Sequence, residues 1–489
     1  MLLSCFITGS VSSSAAETDN KTVSSGSTEP QSKIQGSAIL HCFDWSYNSI
    51  KNNMKAIKDA GYTAVQTSPV QPAKDYNSSY RDQSGQWWKL YQPLGIRISE
   101  SNQTWLGGKS ELKAMCAEAE KYGIKVVVDV VANHVANKSD GGGYWNVNDG
   151  VDSDLKKDYY YHGEDYGAGD GDRYSMTHGH IGMPDLNTAN PDIQNKFKTF
   201  LIDCINQGVD GFRFDLASEL TRDEKGFPSD IAPLTKRISE DSILRNTKII
   251  AEPWDCGGAY QIGNFPGGRW CEWNDHYRDG IRRFIRGDEH TANEAATRIA
   301  GSNDLYAMSG RAPINSINFV TAHDGFTLND LVTYNQKHNE ENGEENRDGN
   351  DNNLSYNHGF EGPSINPKIE KLRLMQIKNF FTTLMISQGV PMFVAGDEVR
   401  RTQGGNNNPY CQDNETSWFN WEDVTNNAKM LDFVQNLITF RNQHAVFHRR
   451  NFFGGAATSQ FNEPPDISWF NYDGTVPDWK KMNRYLAFR

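Results

Sequence analysis

The stretch IKVVVDVV, residues 124–131, is apolar at six of its eight positions. A strand with one face in water would alternate apolar and polar side chains, and this stretch does not. A continuous apolar run of this length is typical of a strand that is covered on both faces, as in a parallel sheet. We therefore predict that the sheet containing residues 124–131 is parallel.

Strand-like and helix-like segments alternate along the chain on both sides of this stretch. The other strand-like segments are SAILHCF (37–43), YTAVQTSPV (62–70), GFRFD (211–215), TKIIAEP (247–253), INSINFVTAHD (314–324) and VPMFVAGDE (390–398). Several of them end in polar or charged residues. A repeated strand–helix order with polar residues at the carboxyl ends of the strands predicts an α/β fold of the (β/α)8 TIM barrel type.

We expect four parts along the chain. Residues 1–36 form a signal-like segment and a flexible linker, because a short apolar start is followed by sequence rich in Ser, Thr and Gly. The catalytic barrel takes residues 37–131 and 186–448. Residues 132–185 interrupt the strand–helix rhythm and form an inserted domain B after the third strand. Residues 449–489 form an incomplete C-terminal β domain.

Composition and charge exclude several classes of partner. The 489-residue chain has a formal net charge of −13, which argues against nucleic acid and against an anionic membrane surface. It has no run of 18 apolar residues, so we expect no membrane span. The signal-like start predicts a secreted protein, with a weak lipid-attachment pattern at Cys5. We expect a monomer.

Polar and charged residues gather at four predicted strand ends. They are Asp129, Asn133 and His134 at the first, Arg213 and Asp215 at the second, Glu252 at the third, and His323 and Asp324 at the fourth. The carboxyl ends of barrel strands meet on one face of the fold. A buried structural ion pair would explain one isolated Arg-x-Asp sequence as well as catalysis does. Four such ends together favour an active site.

Paired carboxylates with aromatic residues are suited to the cleavage of glycosidic bonds. One carboxylate attacks or stabilises a positively charged transition state, while a second protonates the leaving oxygen. We expect Arg213 to lower the pKa of Asp215 and keep that side chain ionised. Glu252 lies between Ala251 and Pro253, and an apolar setting raises a carboxyl pKa, as a general acid requires.

The motifs LYQP (90–93), DVVANH (129–134), GFRFD, AEP and FVTAHD together resemble the signature regions of the α-amylase superfamily, glycoside hydrolase family 13. The resemblance covers roughly residues 37–489. It implies that Asp215 is the nucleophile, that Glu252 is the acid/base and that Asp324 stabilises the transition state, with retention of anomeric configuration. It also implies a set of substrate-binding residues, which are Tyr91, His134, Arg213, Trp254 and His323.

A calcium site where domain B meets the barrel is common in this family. Asn133 and Asp185 match two of its ligand positions, and both offer the hard oxygen donors that calcium requires. Turn capping is the alternative explanation for these two residues. The family usually has a histidine four residues after the nucleophile, whose carbonyl binds the ion, and this sequence has Glu219 there.

The two halves of the chain resemble different branches of the superfamily. Residues 37–215 resemble secreted bacterial α-amylases, whereas residues 211–489 resemble isoamylase and glycogen-debranching enzymes through motifs such as AEPWDCGGAYQIGNFP (251–266). We therefore expect a hybrid joined at the motif that both branches share. The Asn- and Glu-rich loop 335–362 is either a solvated surface or a substrate-binding element.

The shared motifs predict a hydrolase of α-glucans. We favour endo-cleavage of α-1,4 bonds narrowly, because the α-amylase-like half carries the signal-like start and domain B. Isoamylase-type debranching of α-1,6 bonds is the first alternative. An inactive or weakly active hybrid that only binds α-glucan is the second alternative, although the complete set of catalytic residues argues against it.

Overall fold

The structure is a computed structural model that describes residues 38–76, 84–138, 146–162, 183–224, 229, 232–255, 259–455, 464–479 and 484–489. The predicted signal-like segment and linker, with Cys5, lie outside the described residues.

Eight parallel strands close into a barrel, which confirms the predicted (β/α)8 architecture. The strands are β1 Ile39–His41, β2 Ala64–Pro69, β3 Lys125–Val131, β4 Gly211–Asp215, β5 Lys248–Ala251, β6 Cys271–Asn274, β7 Ser316–Asn318 and β8 Val390–Val394. Each strand pairs with the next one along the chain. The barrel is completed by β1, which pairs with β2 on one side and with β8 on the other.

Helices connect the strands and cover the outside of the barrel. They are α1 Tyr47–Asp59, α2 Lys109–Lys121, α3 Pro191–Asn206, α4 Pro233–Glu240, α5 Asp275–Arg286, α6 Ala292–Ile299, α7 Asn303–Tyr306, α8 Leu328–Leu331, α9 Pro367–Ile386, α10 Asp423–Asn426 and α11 Ala428–Gln443. None of the helices within the described ranges is both long and apolar enough to cross a membrane.

Helix α1 shows how local sequence sets these boundaries. The Ser46 side chain accepts a hydrogen bond from the Ser49 amide and caps the first turn. Ile50 and Met54 lie one turn apart and are fully buried against the barrel. Gly61 follows the helix with φ of 93°, a left-handed conformation that favours glycine.

Strand β3 is buried on both faces, as its apolar run predicts. Val127 packs inside the barrel with Ile39 and Ile250. Val126 and Val128 point the other way, into the larger core between the strands and the surrounding helices. Successive side chains of a strand face opposite sides, so a strand between two apolar layers needs apolar residues at consecutive positions.

The predicted insertion and C-terminal region contain little regular structure in their described parts. After β3 the chain forms two short 3-10 helices, Ser153–Leu155 and Asp158–Tyr160, before it returns to α3. Near the end of the chain, β9 Trp469–Phe470 and β10 Ala487–Phe488 form a two-stranded antiparallel sheet. The four-part division of the chain remains a prediction.

Candidate active site

Arg213 lies in β4 among three carboxylates, and its side chain is fully buried. Its Nη1 donates hydrogen bonds to both carboxylate oxygens of Asp129, at 2.8 and 3.0 Å, and to Asp215 Oδ1 at 3.0 Å. Its Nη2 lies 2.9 Å from Glu252 Oε2. One guanidinium therefore holds three carboxylates from three neighbouring strands.

The register of the strands produces this arrangement. Asp129 on β3 pairs directly with Arg213 on β4. On the other side of β4, Phe214 pairs with Ala251, so the residues that follow each of them, Asp215 and Glu252, are also neighbours. The Leu216 amide donates a 2.8 Å hydrogen bond to Glu252 Oε2 and fixes that carboxylate beside the end of β4.

Trp273 on β6 covers the remaining face of the arginine. Its ring centre lies 4.3 Å from the guanidinium carbon of Arg213, within the range of a cation–π contact. A desolvated contact of this kind favours the charged guanidinium and restricts its movement. Sequence reasoning did not find Trp273, because nothing in the segment CEWN indicates that its tryptophan faces the barrel interior.

The pKa of Asp215 is raised well above its ordinary value, in contrast to the expectation that Arg213 would lower it. Burial of the carboxyl group is the largest cause, and the nearby charge of Glu252 raises the pKa further. The charge of Arg213 does lower the pKa of Asp215, as predicted, but burial and the charge of Glu252 together raise it by more. Burial and a neighbouring carboxylate therefore favour the protonated form of Asp215.

Tyr91 and His323 form an aromatic wall beside the carboxylates. The two rings stack with centres 5.6 Å apart and planes 7° apart, and His323 also stacks on Phe43 at 4.4 Å. The Tyr91 hydroxyl donates a 3.0 Å hydrogen bond to Asp129 Oδ2. Burial and the nearby charge of Arg213 lower the pKa of His323 well below its ordinary value, so this ring is neutral near pH 7.

Asp324 lies next to His323 and is open to solvent. Its side chain is 60% exposed, and its Oδ2 lies 3.4 Å from His323 Nε2. Trp254 follows β5 beside Glu252, packs partly buried against the apolar interior of the barrel and forms an isolated bridge with Tyr260. The structure thus brings the predicted catalytic residues and most of the predicted binding residues to one face of the barrel.

Protein atoms contact both ring nitrogens of His134, which is one of the predicted binding residues. Nε2 donates a 2.8 Å hydrogen bond to the Tyr91 carbonyl oxygen, and Nδ1 lies 3.2 Å from Asn133 Nδ2. The ring is 1% exposed. In this structure His134 holds the Tyr91 backbone in place, and its direct contact with substrate remains a prediction.

A buried ion triad connects the loops that follow the two predicted catalytic residues Asp215 and Glu252. Glu219, four residues after Asp215, contacts Arg222, whose Nη2 lies 3.2 Å from Asp255 Oδ2, three residues after Glu252. All three side chains of the triad are about 1% exposed. The sequence identified Glu219 only as a departure from the family pattern and did not predict its partners.

Asn133 and Asp185, the predicted calcium ligands, lie side by side. The Leu186 amide donates a 2.7 Å hydrogen bond to the Asn133 carbonyl oxygen, and Asp185 Oδ2 lies 2.7 Å from His162 Nδ1. Asp185 Oδ1 is buried and has no hydrogen-bond partner among the described residues, which is the environment of an oxygen that binds a cation. The pair fits calcium as part of a ligand set, and the metal itself remains a prediction.

Loop 335–362 follows β7, and two of its eight asparagines, Asn339 and Asn353, are buried. Asn339 is fully buried, and its Nδ2 donates a 2.9 Å hydrogen bond to Asn407 Oδ1. Asn342 in turn contacts the Asn408 carbonyl oxygen and accepts a hydrogen bond from Asn406. These contacts anchor the loop to the segment that follows β8. In this part of the loop the asparagines pack against protein, in contrast to a purely solvated surface.

Comparisons with known proteins place these features in a family. The model of the α-amylase catalytic domain matches residues 44–253. A "Glycogen operon protein GlgX homolog" of Mycobacterium tuberculosis is 44% identical over 387 residues, covering 76% of this chain and 50% of that protein. "Isoamylase SU1, chloroplastic" of Zea mays is 36% identical over 477 residues, covering 91% of this chain and 57% of that protein. The chain spans about half the length of the curated relatives it matches.

Solved structures of pullulanases share the fold. The apo pullulanase from Paenibacillus barengoltzii superposes with a TM-score of 0.65 at 20% identity, over 92% of this chain and 69% of that one. The pullulanase from Bacillus acidopullulyticus gives a TM-score of 0.63 at 23% identity, over 86% of this chain and 50% of that one.

The comparisons also bear on the hybrid hypothesis. An alignment with an isoamylase over 91% of the chain necessarily extends far on both sides of residue 215. Similarity to isoamylases is therefore not confined to residues 211–489, and two parents are not needed to explain the sequence. The closed barrel, the carboxylates around Arg213, the matching family model and these relatives agree, and the chain belongs to the α-amylase superfamily, glycoside hydrolase family 13.

Proposed function

We propose that this chain is a retaining glycosidase that hydrolyses α-glucans and that its preferred bond is the α-1,6 branch linkage. The observation that carries the proposal is the group of three carboxylates around the buried Arg213. The choice of bond rests on the relatives, since isoamylases of maize and rice align with 91% of the chain at 36% and 38% identity. This reverses the narrow sequence-based preference for α-1,4 endo-cleavage.

In the first step Asp215 attacks the anomeric carbon of the reacting sugar, while Glu252 donates its proton to the leaving glycosidic oxygen. The step forms a covalent glycosyl-enzyme and releases the remainder of the glucan. Arg213 contacts both carboxylates, and its charge favours the ionised form of Asp215, which the attack requires. The proton must lie on Glu252 when the substrate binds.

In the second step Glu252 acts as the base. It removes a proton from a water molecule, whose oxygen attacks the anomeric carbon and releases Asp215, so that two inversions give overall retention. Asp324 lies at the open side of the site and is placed to contact hydroxyl groups of the reacting sugar, which supports its assignment as transition-state stabiliser. Tyr91 offers an aromatic face to the same sugar.

Parallel assays on amylopectin, pullulan and amylose test the proposed bond, with Asp215→Asn as the inactive control. We expect reducing ends to appear rapidly from amylopectin and slowly from amylose, with linear chains as products. Rapid loss of amylose viscosity would instead support α-1,4 endo-cleavage. Binding of all three glucans with no release of reducing ends by the wild-type protein would contradict hydrolysis and support the binding-only alternative.

A further inference from the structure

Residues 321–328, which we call the Asp324 turn, connect the end of β7 to the start of α8. The Asp324 side chain is 60% exposed, so the position of its carboxylate depends on how firmly its backbone is held. Gly325, the next residue, has φ of 89°, a left-handed conformation that favours glycine. Hydrogen bonds from the segment that follows β8 hold this turn at its ends and at its centre.

Asp397 holds the two ends of the Asp324 turn. Its Oδ1 accepts a 2.8 Å hydrogen bond from the Leu328 amide, and its Oδ2 accepts one from the Thr321 hydroxyl. The three residues are at most 2% exposed. Because water does not compete for these hydrogen bonds, one carboxylate keeps the two ends of the turn at a set separation.

The centre of the turn is held through Gly325. Its amide donates a 3.0 Å hydrogen bond to the Asn407 carbonyl oxygen, and its carbonyl oxygen accepts a 3.3 Å hydrogen bond from Gln403 Nε2. The same Gln403 nitrogen donates a 2.8 Å hydrogen bond to the Asn406 carbonyl oxygen. The residue next to Asp324 is thus tied to segment 403–407, and a displacement of Asn407 is passed to the turn.

Asparagines of loop 335–362 hold Asn407 in turn. The Asn407 amide donates a 2.9 Å hydrogen bond to Asn339 Oδ1, and Asn407 Oδ1 accepts one of 2.9 Å from Asn339 Nδ2. Asn407 Nδ2 donates hydrogen bonds of 2.8 Å to Asn353 Oδ1 and of 2.7 Å to the Asn350 carbonyl oxygen. Asn339, Asn353 and Asn407 are at most 4% exposed. A carboxamide both donates and accepts, so these buried groups provide partners for one another.

We propose that Asn407 is a positioning residue, which transmits the support of loop 335–362 through Gly325 to Asp324. The inference rests on the proposed glycosidase function and on the assignment of Asp324 as transition-state stabiliser. In this role the loop supports the reaction through the protein backbone, in contrast to a direct contact with substrate. A misplacement of about 1 Å costs about 100-fold in rate. A contact made only in the transition state affects kcat, so loss of this support lowers kcat and leaves KM nearly unchanged.

Asn353→Ala and Asn357→Ala form a matched pair of substitutions in loop 335–362. Each removes a side chain that makes two hydrogen bonds, but Asn353 contacts Asn407, whereas Asn357 contacts Gly359 and Glu361. With amylopectin as substrate, we expect kcat to fall about tenfold in Asn353→Ala and less than about twofold in Asn357→Ala, with KM nearly unchanged in both. Equal losses of kcat in the two variants, or a loss in Asn353→Ala that is confined to KM, would overturn the proposal.

A double-mutant cycle with Asp324→Ala distinguishes an effect through Asp324 from a general loosening of the site. In the Asp324→Ala background, we expect Asn353→Ala to lower the remaining kcat by less than about twofold, because the group that it positions is already absent. Independent losses that multiply in the double variant would show that the loop does not act through Asp324.

Hydrogen–deuterium exchange tests the link between loop and turn independently of turnover. We expect peptides that cover residues 321–328 to exchange about fivefold faster in Asn353→Ala, the effect of losing about one net hydrogen bond, and to be unchanged in Asn357→Ala. Unchanged exchange in Asn353→Ala would overturn the proposal even if kcat falls. If the wild-type protein hydrolyses neither amylopectin nor amylose while exchange still depends on Asn353, the proposed function fails and the support of the turn by the loop stands.

Discussion

Arg222→Met tests the buried ion triad by removing the cation that Glu219 and Asp255 share. Methionine keeps an unbranched apolar side chain, so the main change is electrostatic. The two carboxylates, each about 1% exposed, lose the guanidinium that compensates for their burial. Removing one partner of a buried ion pair costs about 3–5 kcal/mol. Because two carboxylates lose the same partner, we expect a loss of about 4–5 kcal/mol in the free energy of unfolding, at the upper end of that range.

The assay is urea unfolding followed by tryptophan fluorescence, with the change in midpoint multiplied by the m-value. Arg484→Met is the matched control, because its ion pair with Glu289 is 56% and 52% exposed and should contribute below about 1 kcal/mol. A loss below about 1 kcal/mol in Arg222→Met, similar to the control, would refute the reasoning that these charges are desolvated and interdependent.

Three further perturbations follow from the site and its surroundings. Glu252→Gln should reduce hydrolysis of starch far more than hydrolysis of an activated aryl glycoside, which needs little protonation; equal losses would show that Glu252 is not the proton donor. Burial raises the pKa of Asp44 to about 8, so the folded state holds a proton that the unfolded state has lost, and stability should decline as pH rises from about 4 to about 8. Asp44→Asn, which suits the left-handed backbone, should make melting temperatures measured across that range less dependent on pH. Calcium added after chelation should raise the melting temperature of the wild-type protein and not that of Asn133→Ala, since an ion bound only by the native state stabilises it; no rise in the wild-type protein would remove the metal site.

Long apolar strands and polar strand ends made most of the barrel predictable from sequence. Strand β3 has an unmistakable pattern because apolar layers cover both of its faces. Strand β6, the segment CEWN, was not predicted, because a four-residue strand with two polar positions has no detectable period. Its Glu272 is fully buried and contacts Arg311, whose positive charge compensates for the burial of the carboxylate. Only the folded structure reveals this pairing.

The candidate site was predictable where it follows strand periodicity and unpredictable where it depends on distant contacts. The grouping of Asp129, Arg213 and Asp215 follows from neighbouring strands of known order. The raised pKa of Asp215 could not be predicted from strand order, because it depends on burial and on the position of Glu252 relative to the guanidinium of Arg213. Phe43 and Trp418, which line one cavity, likewise come from the loops after the first and last barrel strands and are distant in sequence.

The pairing of β1 with β8 also determines when the barrel can be completed during synthesis. At about 5–20 residues per second, the roughly 350 residues between these strands require on the order of 20–70 seconds. Until Val390–Val394 emerges from the ribosome, one edge of Ile39–His41 has no native partner. An unpaired strand edge is a template for association with other chains. The yield of this protein in a cell therefore depends on the protection of a temporary edge as well as on the stability of the finished fold.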